Sequence, residues 1–357
     1  MTGNRFGRYF SLSSFGESHG THIGGMLDGV PAGLAISETY IQAQMDRRKP
    51  GNSSFTSQRK EADKVAILSG ILEGITLGTP IGFLIANTDA KPKDYTELQD
   101  VFRPGHGDYV YQKKYGIRDS RGGGRASARE TAVRVAAGAI AKTFLKAQFG
   151  IEIYGYLVQM GEITIAKQNF NRDFIEQNPF FCPDPKLVDT LAENIHALRK
   201  NGESTGALIE VIAEGVPVGL GEPVYHGLDA DLAHAFMSIN AVKGVSIGDG
   251  FTSVTQTGSY HRDQLNREGF LTNHAGGILA GISTGQLIKA ALAFKPTSSV
   301  PIPCNTLTHL EEEVIIRIKG RHDPCVGLRG VPIAEAMMAL VLADHAIARF
   351  GNKPIAN

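Results

Sequence analysis

The segment Arg121–Arg129 carries the side chains with the clearest potential for chemistry. It holds three glycines, three arginines and one serine in nine residues (RGGGRASAR), directly before a helix-like run. Free N–H groups and the positive end of the helix dipole favour an anion at such a helix start, and glycines let the backbone approach a ligand closely. The pattern indicates a site for a phosphate or a polyanion. The alternative is a glycine-rich surface turn before an ordinary helix.

The residues around this segment strengthen the first interpretation. Ser127 and Glu130 match the S-x-x-E capping box, which predicts a helix over about 128–149 that ends at Gly150. Residues 103–134 contain eight Lys or Arg and three Asp or Glu, a local charge of +5 in a chain whose formal net charge is zero. Such a concentration focuses an electrostatic field on a small anion.

His19 lies in a glycine turn, Gly16–Gly20 (GESHG). The two glycines around Ser18 have the spacing of a nucleophile elbow, but an elbow needs a helix after it. The strand-like run His22–Leu27 follows instead, which argues against a serine hydrolase. His19 remains as a candidate, because an imidazole can act as a general acid near neutral pH. The alternative is an ordinary surface or core histidine.

Two further turns hold candidate acid–base groups. His106 is flanked by two glycines in Phe102–Asp108 (FRPGHGD), directly before the basic segment. Asp323 precedes a proline in Gly320–Cys325 (GRHDPC), which restricts its backbone to extended or turn geometry. Beside Arg321, this carboxylate could exchange protons with a ligand. For both residues the alternative is a purely structural role in a turn.

Three other motifs are less specific. Lys295–Ser299 (KPTSS) combines an ammonium group, hydroxyls and a proline turn, which suits an anionic or polyhydroxylated ligand. Asp46–Pro50 (DRRKP) places three cations at a helix end, more than the helix dipole alone requires. Ser238–Gly244 (SINAVKG) alone indicates only a loop. The chain has neither GxGxxG after a strand nor a P-loop pattern, so these nucleotide sites are not indicated.

Composition narrows the class of protein. Cys182, Cys304 and Cys325 are odd in number and widely spaced, which provides neither a disulfide framework nor metal-ligand spacing and favours a reducing cytoplasm. The first residues lack the apolar core of a signal peptide. We find no run of about 18 apolar residues and expect no membrane span. A pI near 7.2 argues against general nucleic-acid binding.

Short strands dominate the first 85 residues, and helices and strands then follow in mixed order. The predicted strands are Tyr9–Leu12, His22–Leu27, Lys64–Leu68, Pro80–Ile85 and Leu208–Ala213. The predicted helices, besides the one after Ser127, are Glu38–Arg47, Lys186–Lys200 and an amphipathic Ile333–Phe350. Asn87–Gly124 is expected to be a long irregular segment with a functional role. Because the regular alternation of a parallel sheet is missing, we expect an α+β fold.

A twelve-residue segment recurs in the chain. His22–Gly33 (HIGGMLDGVPAG) and His274–Gly285 (HAGGILAGISTG) are identical at six of twelve positions, and each precedes a helix-like segment and then Lys-Pro. We interpret the repeat as an internal duplication of sheet–helix halves, about residues 1–150 and 205–357 of a single domain 1–357. Chance similarity of glycine-rich turns is the alternative.

Taken together, the motifs resemble the chorismate synthase family. Three blocks carry the resemblance, namely Gly16–Gly20 continuing into Gly24–Pro31, Arg121–Thr131, and Arg321–Cys325 continuing into Pro332–Ala336. Phe102–His106, Ser238–Gly244 and Lys295–Ser299 also match. The resemblance covers essentially the whole chain, and the order and spacing of the motifs are far more specific than any single motif.

The resemblance implies a lyase that converts 5-enolpyruvylshikimate 3-phosphate to chorismate and phosphate, the last step of the shikimate pathway. This trans 1,4-elimination has no net redox change, yet it requires reduced FMN. The flavin is thought to lend electron density as phosphate leaves and to recover it while N5 takes the ring proton. The family fold implies a layered β-α-β sandwich, with a helical core between antiparallel sheets, in a homotetramer. We therefore expect a cytoplasmic enzyme of aromatic amino-acid biosynthesis, without metal, nucleic-acid or membrane partners.

The resemblance also implies roles for single residues. His19 would protonate the leaving phosphate, His106 would supply a proton to the reduced flavin or lie against it, and Asp323 would relay the proton away from N5. Asn87–Gly124 would order over the flavin as a lid and exclude water.

Binding residues follow from the same resemblance. Arg48 and Arg129 would hold substrate anions, and Ser54 stands at a position that contacts substrate or NADP. The implied flavin contacts are Arg125, Ala126, Ser127, Asn240, Ala241, Ala280, Lys295, Pro296, Thr297, Ser298, Ser299 and Arg321.

The chain departs from the family pattern at three of these binding positions and at Lys49, which follows Arg48. Ser54 and Lys49 stand where arginine is common, so Ser54 weakens any anion contact there, while Lys49 keeps the charge but loses the bidentate fork. Ala126 replaces a common serine, and Ala280 replaces a common glycine. The three proton-handling residues are unaltered.

Two other functions fit part of the pattern. A non-catalytic module could bind phosphorylated metabolites or RNA loops through the basic segment, but the zero net charge and the two glycine-flanked histidines argue against it. An ordinary flavin oxidoreductase would give net redox turnover with a nicotinamide cofactor. Whether the protein reduces its own flavin stays open, and with 357 residues and no appended domain we expect an external reductant.

Overall fold

A computed structural model describes residues 3–49, 51, 55, 62–88, 98–318 and 323–355. Within these residues the helices are α1 (Glu38–Arg48), α2 (Asp108–Tyr115), α3 (Thr131–Phe149), α4 (Val188–Asn201), α5 (Leu228–Met237), α6 (Gly258–His261) and α7 (Gly327–Phe350). The strands are β1 (Arg5–Phe6), β2 (Ser11–Phe15), β3 (His22–Asp28), β4 (Val65–Ile67), β5 (Ile71–Leu72), β6 (Ile75–Thr76), β7 (Ile81–Ala86), β8 (Glu152–Met160), β9 (Ile163–Thr164), β10 (Ala207–Glu214), β11 (Val242–Ile247), β12 (Leu265–Asn266), β13 (Gly269–Phe270), β14 (Ile278–Leu279), β15 (Ile282–Ser283), β16 (Ile288–Phe294), β17 (Cys304–Leu307) and β18 (Glu313–Ile316).

Two five-stranded antiparallel sheets form the outer layers. The strand order is β1-β2-β3-β7-β4 in the first sheet and β11-β16-β10-β8-β9 in the second. Fully buried and partly buried side chains alternate along β16 and over most of β7, as expected for strands with one face on a core. Four two-stranded ribbons complete the strands of the described residues, namely β5–β6, β12–β13, β14–β15 and β17–β18.

Helices α3 and α7 fill the space between the two sheets. α3 packs against β2 and β3 of the first sheet, and α7 packs against β8, β10 and β16 of the second. The two helices pack tightly on each other at Gly138, where an added Cβ would overlap Ala336. α1 lies against both helices, and α5 lies against α7. The arrangement confirms the expected α+β fold with a helical layer between antiparallel sheets.

α7 is more deeply buried than its sequence pattern predicted. It begins at Gly327, before the predicted start at Ile333, and it continues through Pro332, which lies near the helix start. Buried residues surround the whole helix axis, so the amphipathic prediction is wrong. Among the described helices, α7 alone is long and apolar enough to span a membrane, but 94% of its most apolar window is buried inside the protein. Its apolar composition therefore reflects a central position in the core.

Most of the other predicted elements lie near their predicted bounds. The helix predicted at 38–47 is α1, and Ser37 caps it by accepting the N–H of Tyr40 at 3.1 Å. The strand predicted at Tyr9–Leu12 instead occupies Ser11–Phe15. The shift has a physical reason, because the N–H groups of Tyr9 and Phe10 donate to the carboxylate of Asp344 at 2.6 and 2.8 Å.

The predicted capping box is wrong. Two 3-10 turns, over 124–126 and 128–130, come before α3, which starts at Thr131. Ser127 Oγ accepts the N–H of Arg129 at 3.3 Å. The Glu130 carboxylate pairs with Arg134 at 2.7 Å, while the Ser127 N–H donates to the carbonyl of Gly124. The predicted end at Gly150 is confirmed by its left-handed backbone, φ 69°.

The segment Asn87–Gly124 is not irregular throughout. It contains α2, which ends at the left-handed Gly116. The backbone before α2 is joined to β17, because the N–H of Phe102 donates to the carbonyl of Leu307 at 3.0 Å. Residues 89–97 lie outside the described part of the chain.

The two copies of the repeated motif adopt different structures. His22–Asp28 is one strand of the first sheet, whereas the second copy contains the short ribbon β14–β15. The segment after the first copy is α1, but the segment after the second copy is the strand β16 rather than the expected helix. The correspondence of these local segments is therefore not supported, and the wider division into pseudo-repeats stays a prediction.

Candidate active site

One cavity of about 370 Å³ brings together residues from five separate parts of the chain. Its lining consists of Arg103, Gly105, His106, Gly107, Gly122, Ala126, Ser127, Ala128, Asn240, Ala241, Lys243, Lys295, Pro296, Thr297, Ser298, Ser299, Asp323, Val326 and Arg329. Nine of the twelve expected flavin contacts are among them, together with His106 and Asp323. The sequence-predicted residues thus converge on a single place.

The turn after β16 forms one wall of the cavity. The Lys295 N–H donates to the carbonyl of Ala241 at 2.9 Å, and Lys295 Nζ donates to the carbonyl of Gly105 at 2.9 Å. Thr297 Oγ1 donates to the backbone carbonyl of Asp323 at 2.9 Å. These bonds join the KPTSS turn to the histidine loop and to the segment before α7.

Asn240 connects two walls of the cavity. It follows α5, and its Nδ2 donates to the carbonyl of Ala126 at 3.1 Å. The next residue, Ala241, has a left-handed backbone with φ 71°. Asn240 Oδ1 is buried and has no hydrogen-bond partner within the described protein. Because a buried acceptor without a partner is costly, this oxygen fits a ligand that donates an N–H.

The glycine-rich loop separates two histidines. Gly122, Gly123 and Gly124 all have left-handed backbones, with φ values of 73°, 95° and 52°. A Cβ on Gly122 would overlap the ring of His19, and a Cβ on Gly123 would overlap the ring of His106. Only glycine therefore fits between the two imidazoles.

The three arginines of this loop do not surround one helix end. Arg121 pairs with Asp119 at 2.9 Å. Arg125 turns towards β2, where it donates to Ser14 Oγ at 2.7 Å. Arg129 pairs with the buried carboxylate of Asp63. The expectation that three guanidiniums converge on the start of α3 is therefore wrong, because each is drawn to a different acceptor.

His19 is buried in the turn between β2 and β3. Its Nδ1 lies 3.1 Å from Ser18 Oγ. Gly122, which lines the cavity, stands between this ring and the open space.

Unlike His19, whose Nδ1 lies beside a serine hydroxyl, His106 has charged neighbours. Its Nδ1 lies 3.1 Å from both Arg103 Nη2 and Asp108 Oδ1. Arg103 also binds Asp108 in a bidentate manner, with both N···O distances at 2.7 Å. Burial alone would raise the pKa of Asp108, but hydrogen bonds from Arg103 and His106 outweigh it and hold that pKa well below its usual range.

Asp323 faces a cation from α7. Arg329 Nη1 donates to Asp323 Oδ2 at 2.7 Å, and Arg329 Nε donates to the carbonyl of Arg48 at 3.1 Å. One guanidinium thus connects the candidate proton carrier to the end of α1.

Arg48 and Arg129 lie just behind the cavity wall and share one carboxylate. Arg48 Nη1 binds Asp63 Oδ2 at 2.9 Å, and Arg129 binds Asp63 Oδ1. Arg48 Nη2 donates to the carbonyl of Ala128, which lines the cavity, at 3.0 Å. Burial would raise the pKa of Asp63, but the charges of Arg48 and Arg129 outweigh this effect and lower it.

The remaining expected contacts lie elsewhere. Arg125 borders the far side of the Ala126 turn rather than the cavity. Ala280 is exposed in the β14–β15 turn. Ser54 and Arg321 lie outside the described residues.

Three charged residues of the site were not singled out from the sequence. Arg103 and Asp108 stand inside the motif that pointed to His106. Arg103 lies three residues before this histidine and Asp108 two residues after it, and this spacing was the available signal. Arg329 lies in α7, beyond the Asp323 motif, and only the folded chain shows its pairing.

The fold and the cavity define an acid–base enzyme that acts on an anionic ligand, because the imidazole of His106 and the carboxylate of Asp323 line the cavity beside Arg103, Lys295 and several hydroxyls. Comparison with known proteins is in agreement. The sequence profile of chorismate synthase matches residues 10–347. A solved structure described as "Crystal Structure of Chorismate Synthase" has 31% sequence identity, covers 97% of this chain and 94% of its own, and superposes with a TM-score of 0.77.

The chain belongs to the chorismate synthase family. It is a carbon–oxygen lyase of aromatic amino-acid biosynthesis that converts 5-enolpyruvylshikimate 3-phosphate to chorismate and phosphate. The family uses reduced flavin for this elimination.

Proposed function

We propose that the cavity of this chain binds reduced FMN and that the substrate lies against it, beside His106 and on the side where Gly122 backs onto His19. The observation that carries the proposal is the convergence of Ala126, Ser127, Asn240, Ala241 and the Lys295–Ser299 turn on one cavity. These segments are far apart in the sequence, and each was expected to contact flavin.

The lining fits such a group. Lys295 and the hydroxyls of the KPTSS turn suit a phosphate, and the buried Oδ1 of Asn240 suits an N–H of a flat ring. Reduced flavin supplies electron density to an elimination that has no net redox change. The protein residues bind and orient the flavin and the substrate, and they exclude water from the cavity.

Each proton-handling residue has a proposed task. The His19 imidazole donates a proton to the departing phosphate oxygen. The His106 imidazole would hold a proton beside the flavin, and the Asp323 carboxylate would relay the proton away from flavin N5. His106 and Asp323 line the cavity, whereas His19 lies behind Gly122, so its proposed task requires the glycine loop to let the ring reach the ligand.

Arg48 and Arg129 are proposed to hold the substrate's anionic groups. Both guanidiniums are directed at Asp63 in the structure, so substrate anions would share or replace that carboxylate. Ser54 remains a proposed contact of substrate or NADP, and Arg321 remains a proposed contact of flavin. The ordering of Asn87–Gly124 as a lid also remains a proposal.

A homotetramer is also proposed. Large apolar side chains are exposed on one stretch of chain, including Val218, Tyr225, Phe251, Val254, Leu265 and Leu271. Such exposed groups are typical of subunit contacts. The position of Ala280 supports this view. The turn that contains Ala280 is hydrogen-bonded to the first residue of α5, whereas Asn240, which lines the cavity, follows the other end of that helix. Ten helical residues span about 15 Å, so Ala280 lies well away from the cavity of its own chain. Any Ala280 contact to flavin would come from a neighbouring copy.

Sedimentation velocity tests the assembly. We expect a tetramer for the wild-type chain and dissociation for Leu265→Asp. A monomeric wild-type protein that binds FMN normally would overturn both the assembly and the Ala280 proposal.

We further propose that the protein works in the cytoplasm and receives reduced flavin from an external reductant. Anaerobic flavin spectra with NADPH and without a reductase test this point. Bleaching of the oxidised flavin band by NADPH alone would instead identify an intrinsic reductase.

The central experiment is anaerobic incubation of the protein with 5-enolpyruvylshikimate 3-phosphate and reduced FMN. We expect equimolar release of phosphate and formation of chorismate, with the flavin still reduced at the end. Net oxidation of the flavin with each turnover would favour an ordinary oxidoreductase, and absence of both products would refute the proposed site.

Two variants examine the proton-handling roles. His106→Ala and Asp323→Ala should bind FMN with little change but turn over far more slowly, because neither residue carries most of the binding contacts. Normal turnover in both variants would refute these roles.

A further inference from the structure

A buried ion pair stands directly beside His106. Arg103 and Asp108 are both almost completely buried, at 4% and 3% relative exposure. Their bidentate contact, with both distances at 2.7 Å, is stronger than a surface pair because little water screens it. The backbone N–H of Arg103 also donates to Asp108 Oδ2 at 3.1 Å.

The local fold keeps this pair in place. Asp108 is in the first turn of α2, where the helix dipole favours a carboxylate. Phe102, the residue before Arg103, is fixed to β17 through its N–H and through its carbonyl, which accepts from Thr306. The pair is therefore anchored on both sides and does not depend on the ligand for its geometry.

The imidazole of His106 has two possible partners at one nitrogen. Nδ1 lies 3.1 Å from Arg103 Nη2, which can only donate, and 3.1 Å from Asp108 Oδ1, which can only accept when ionised. A proton on Nδ1 suits Asp108, whereas a bare Nδ1 suits Arg103. The two contacts therefore favour opposite tautomers.

The opposite edge of the ring packs against Gly123, and only the lack of a side chain there leaves room for Cε1 and Nε2. A Cβ at this residue would stand 3.1 Å from Nε2. His106 lines the cavity, so the group that controls Nδ1 also decides whether Nε2 presents a lone pair or a proton there.

We propose that Asp108 is a positioning residue for His106, and that it accepts the Nδ1 proton and thereby fixes the tautomer and orientation of the ring. The neutral ring then directs the lone pair of Nε2 to the cavity, and the charged ring directs an N–H there. Arg103 keeps Asp108 ionised and oriented. The part that concerns catalysis rests on the proposed function, whereas the pairing itself is a property of the protein without ligand.

The first test is the tautomer of His106 in the unmodified, ligand-free full chain. Nitrogen-15 chemical shifts distinguish Nδ1–H from Nε2–H, and the missing signal of His106→Gln assigns the ring. We expect Nδ1–H in the neutral form. A neutral ring protonated at Nε2 would overturn the proposal without requiring any variant of Asp108.

The second test removes only the charge of the carboxylate. Among the described residues, the charged side chains that line the cavity with His106 are Arg103, Lys243, Lys295, Asp323 and Arg329, and Asp108 lies on the Nδ1 side of the ring. In Asp108→Asn the carboxamide oxygen can still accept from Nδ1, but the charge is gone. We expect the share of the neutral ring protonated at Nδ1, measured from the same nitrogen-15 shifts, to fall severalfold, because Arg103 then favours a bare Nδ1.

Asp119→Asn is the matched control for this measurement. Asp119 also pairs with an arginine, Arg121 at 2.9 Å, but on the His19 side of the glycine loop. It should leave the His106 tautomer unchanged. An equal fall in both variants, or none in Asp108→Asn, would overturn the proposal.

Kinetics then separates positioning from a merely structural role. Asp108→Asn should lower kcat by about tenfold to hundredfold, as expected for losing the group that orients a functional histidine, with little change in KM. In a His106→Ala background the same substitution should have almost no further effect on kcat. An undiminished effect in that background would show that Asp108 acts through the fold. If the wild-type protein fails to catalyse the elimination, the proposed function falls, and the tautomer measurements alone decide the pairing.

Discussion

Arg47 and Arg48 are neighbours in the last turn of α1, yet they join two different buried ion clusters. Arg47 binds Glu335 with both guanidinium nitrogens, at 2.6 and 2.8 Å. Arg48 is directed to the other side, where it binds Asp63 at 2.9 Å. The same residue type at adjacent positions therefore serves two regions of the molecule.

The Glu335 cluster is enclosed by regular elements. Glu335 is on α7 and is only 1% exposed. It accepts from Arg47 of α1, from Lys142 of α3 and from the N–H of Gly155 in β8 at 2.8 Å. Burial would raise its pKa, but the charges of Arg47 and Lys142 lower it to about 2. The cluster joins three helices to the second sheet.

The Asp63 cluster differs in its setting. Asp63 lies outside helices and strands and has a left-handed backbone with φ 47°. Its partner Arg48 adjoins the cavity. The guanidinium of Arg48 donates to the carbonyl of Ala128, which lines the cavity, and the backbone carbonyl of Arg48 accepts from Arg329. Burial and pairing alone thus do not distinguish a structural cluster from a functional one, whereas connection to the cavity does.

Glu335→Ala should have the largest effect on stability. The substitution leaves Arg47 and Lys142 buried without the carboxylate they share, and breaking a buried pair typically costs about 3–5 kcal/mol. Urea unfolding of the ligand-free protein measures the change. Glu335→Gln, which keeps an acceptor for the Gly155 N–H, should lose less, and a loss below about 1 kcal/mol in Glu335→Ala would contradict the structural role.

Acid should weaken the same cluster. The pKa of Glu335 in the folded state is about 2, below the ordinary value of about 4.3 in an unfolded chain. A lowered pKa stabilises the fold above pH 4.3 or so, and this contribution, about 3 kcal/mol, is lost as the pH falls towards 2. Urea midpoints across this range should decline less steeply in Glu335→Gln, and equal slopes would refute the assignment.

A pair of conservative variants tests the comparison most directly. Arg48→Lys should lower kcat/KM by about tenfold to hundredfold, because a charged hydrogen bond is worth about 1.5–3 kcal/mol and lysine lacks the fork. Arg47→Lys should instead lower the urea midpoint and leave kcat/KM within about threefold. If both variants lost activity equally, the two clusters would not be functionally distinct.

Glu176→Gln should have the smallest effect. Glu176 binds the outer side of Arg47 at 2.6 Å, but its side chain is 54% exposed. Exposed pairs contribute about 0.2–1 kcal/mol, so the urea midpoint should barely move. A loss as large as that of Glu335→Ala would show that the cluster depends on its surface partner.

Sequence patterns predicted the parts of the fold that depend on local signals. Ser37 and Gly150 mark a helix start and a helix end as expected, because capping depends on neighbouring residues. The start of α3 and the strand at Tyr9 were misplaced, since the side chains of Arg134 and Asp344 compete for the groups involved. Long-range partners of this kind are not visible in a local pattern.

The candidate site was also predictable only where local patterns carried the signal. Motifs brought His19, His106 and Asp323 to attention, but the partners that set their chemistry were missed. Arg329 reaches Asp323 only through the packing of α7. The arginines of the glycine loop were expected to converge and instead diverge, because each guanidinium has a different acceptor beside it in the folded chain.

A single peptide group connects the residues that support the two histidine rings. Gly122 lies against His19, and Gly123 lies against His106. Because a trans peptide holds consecutive Cα atoms about 3.8 Å apart, displacement of either glycine would move the supports of both rings together. Reorientation of one imidazole should therefore be correlated in time with reorientation of the other.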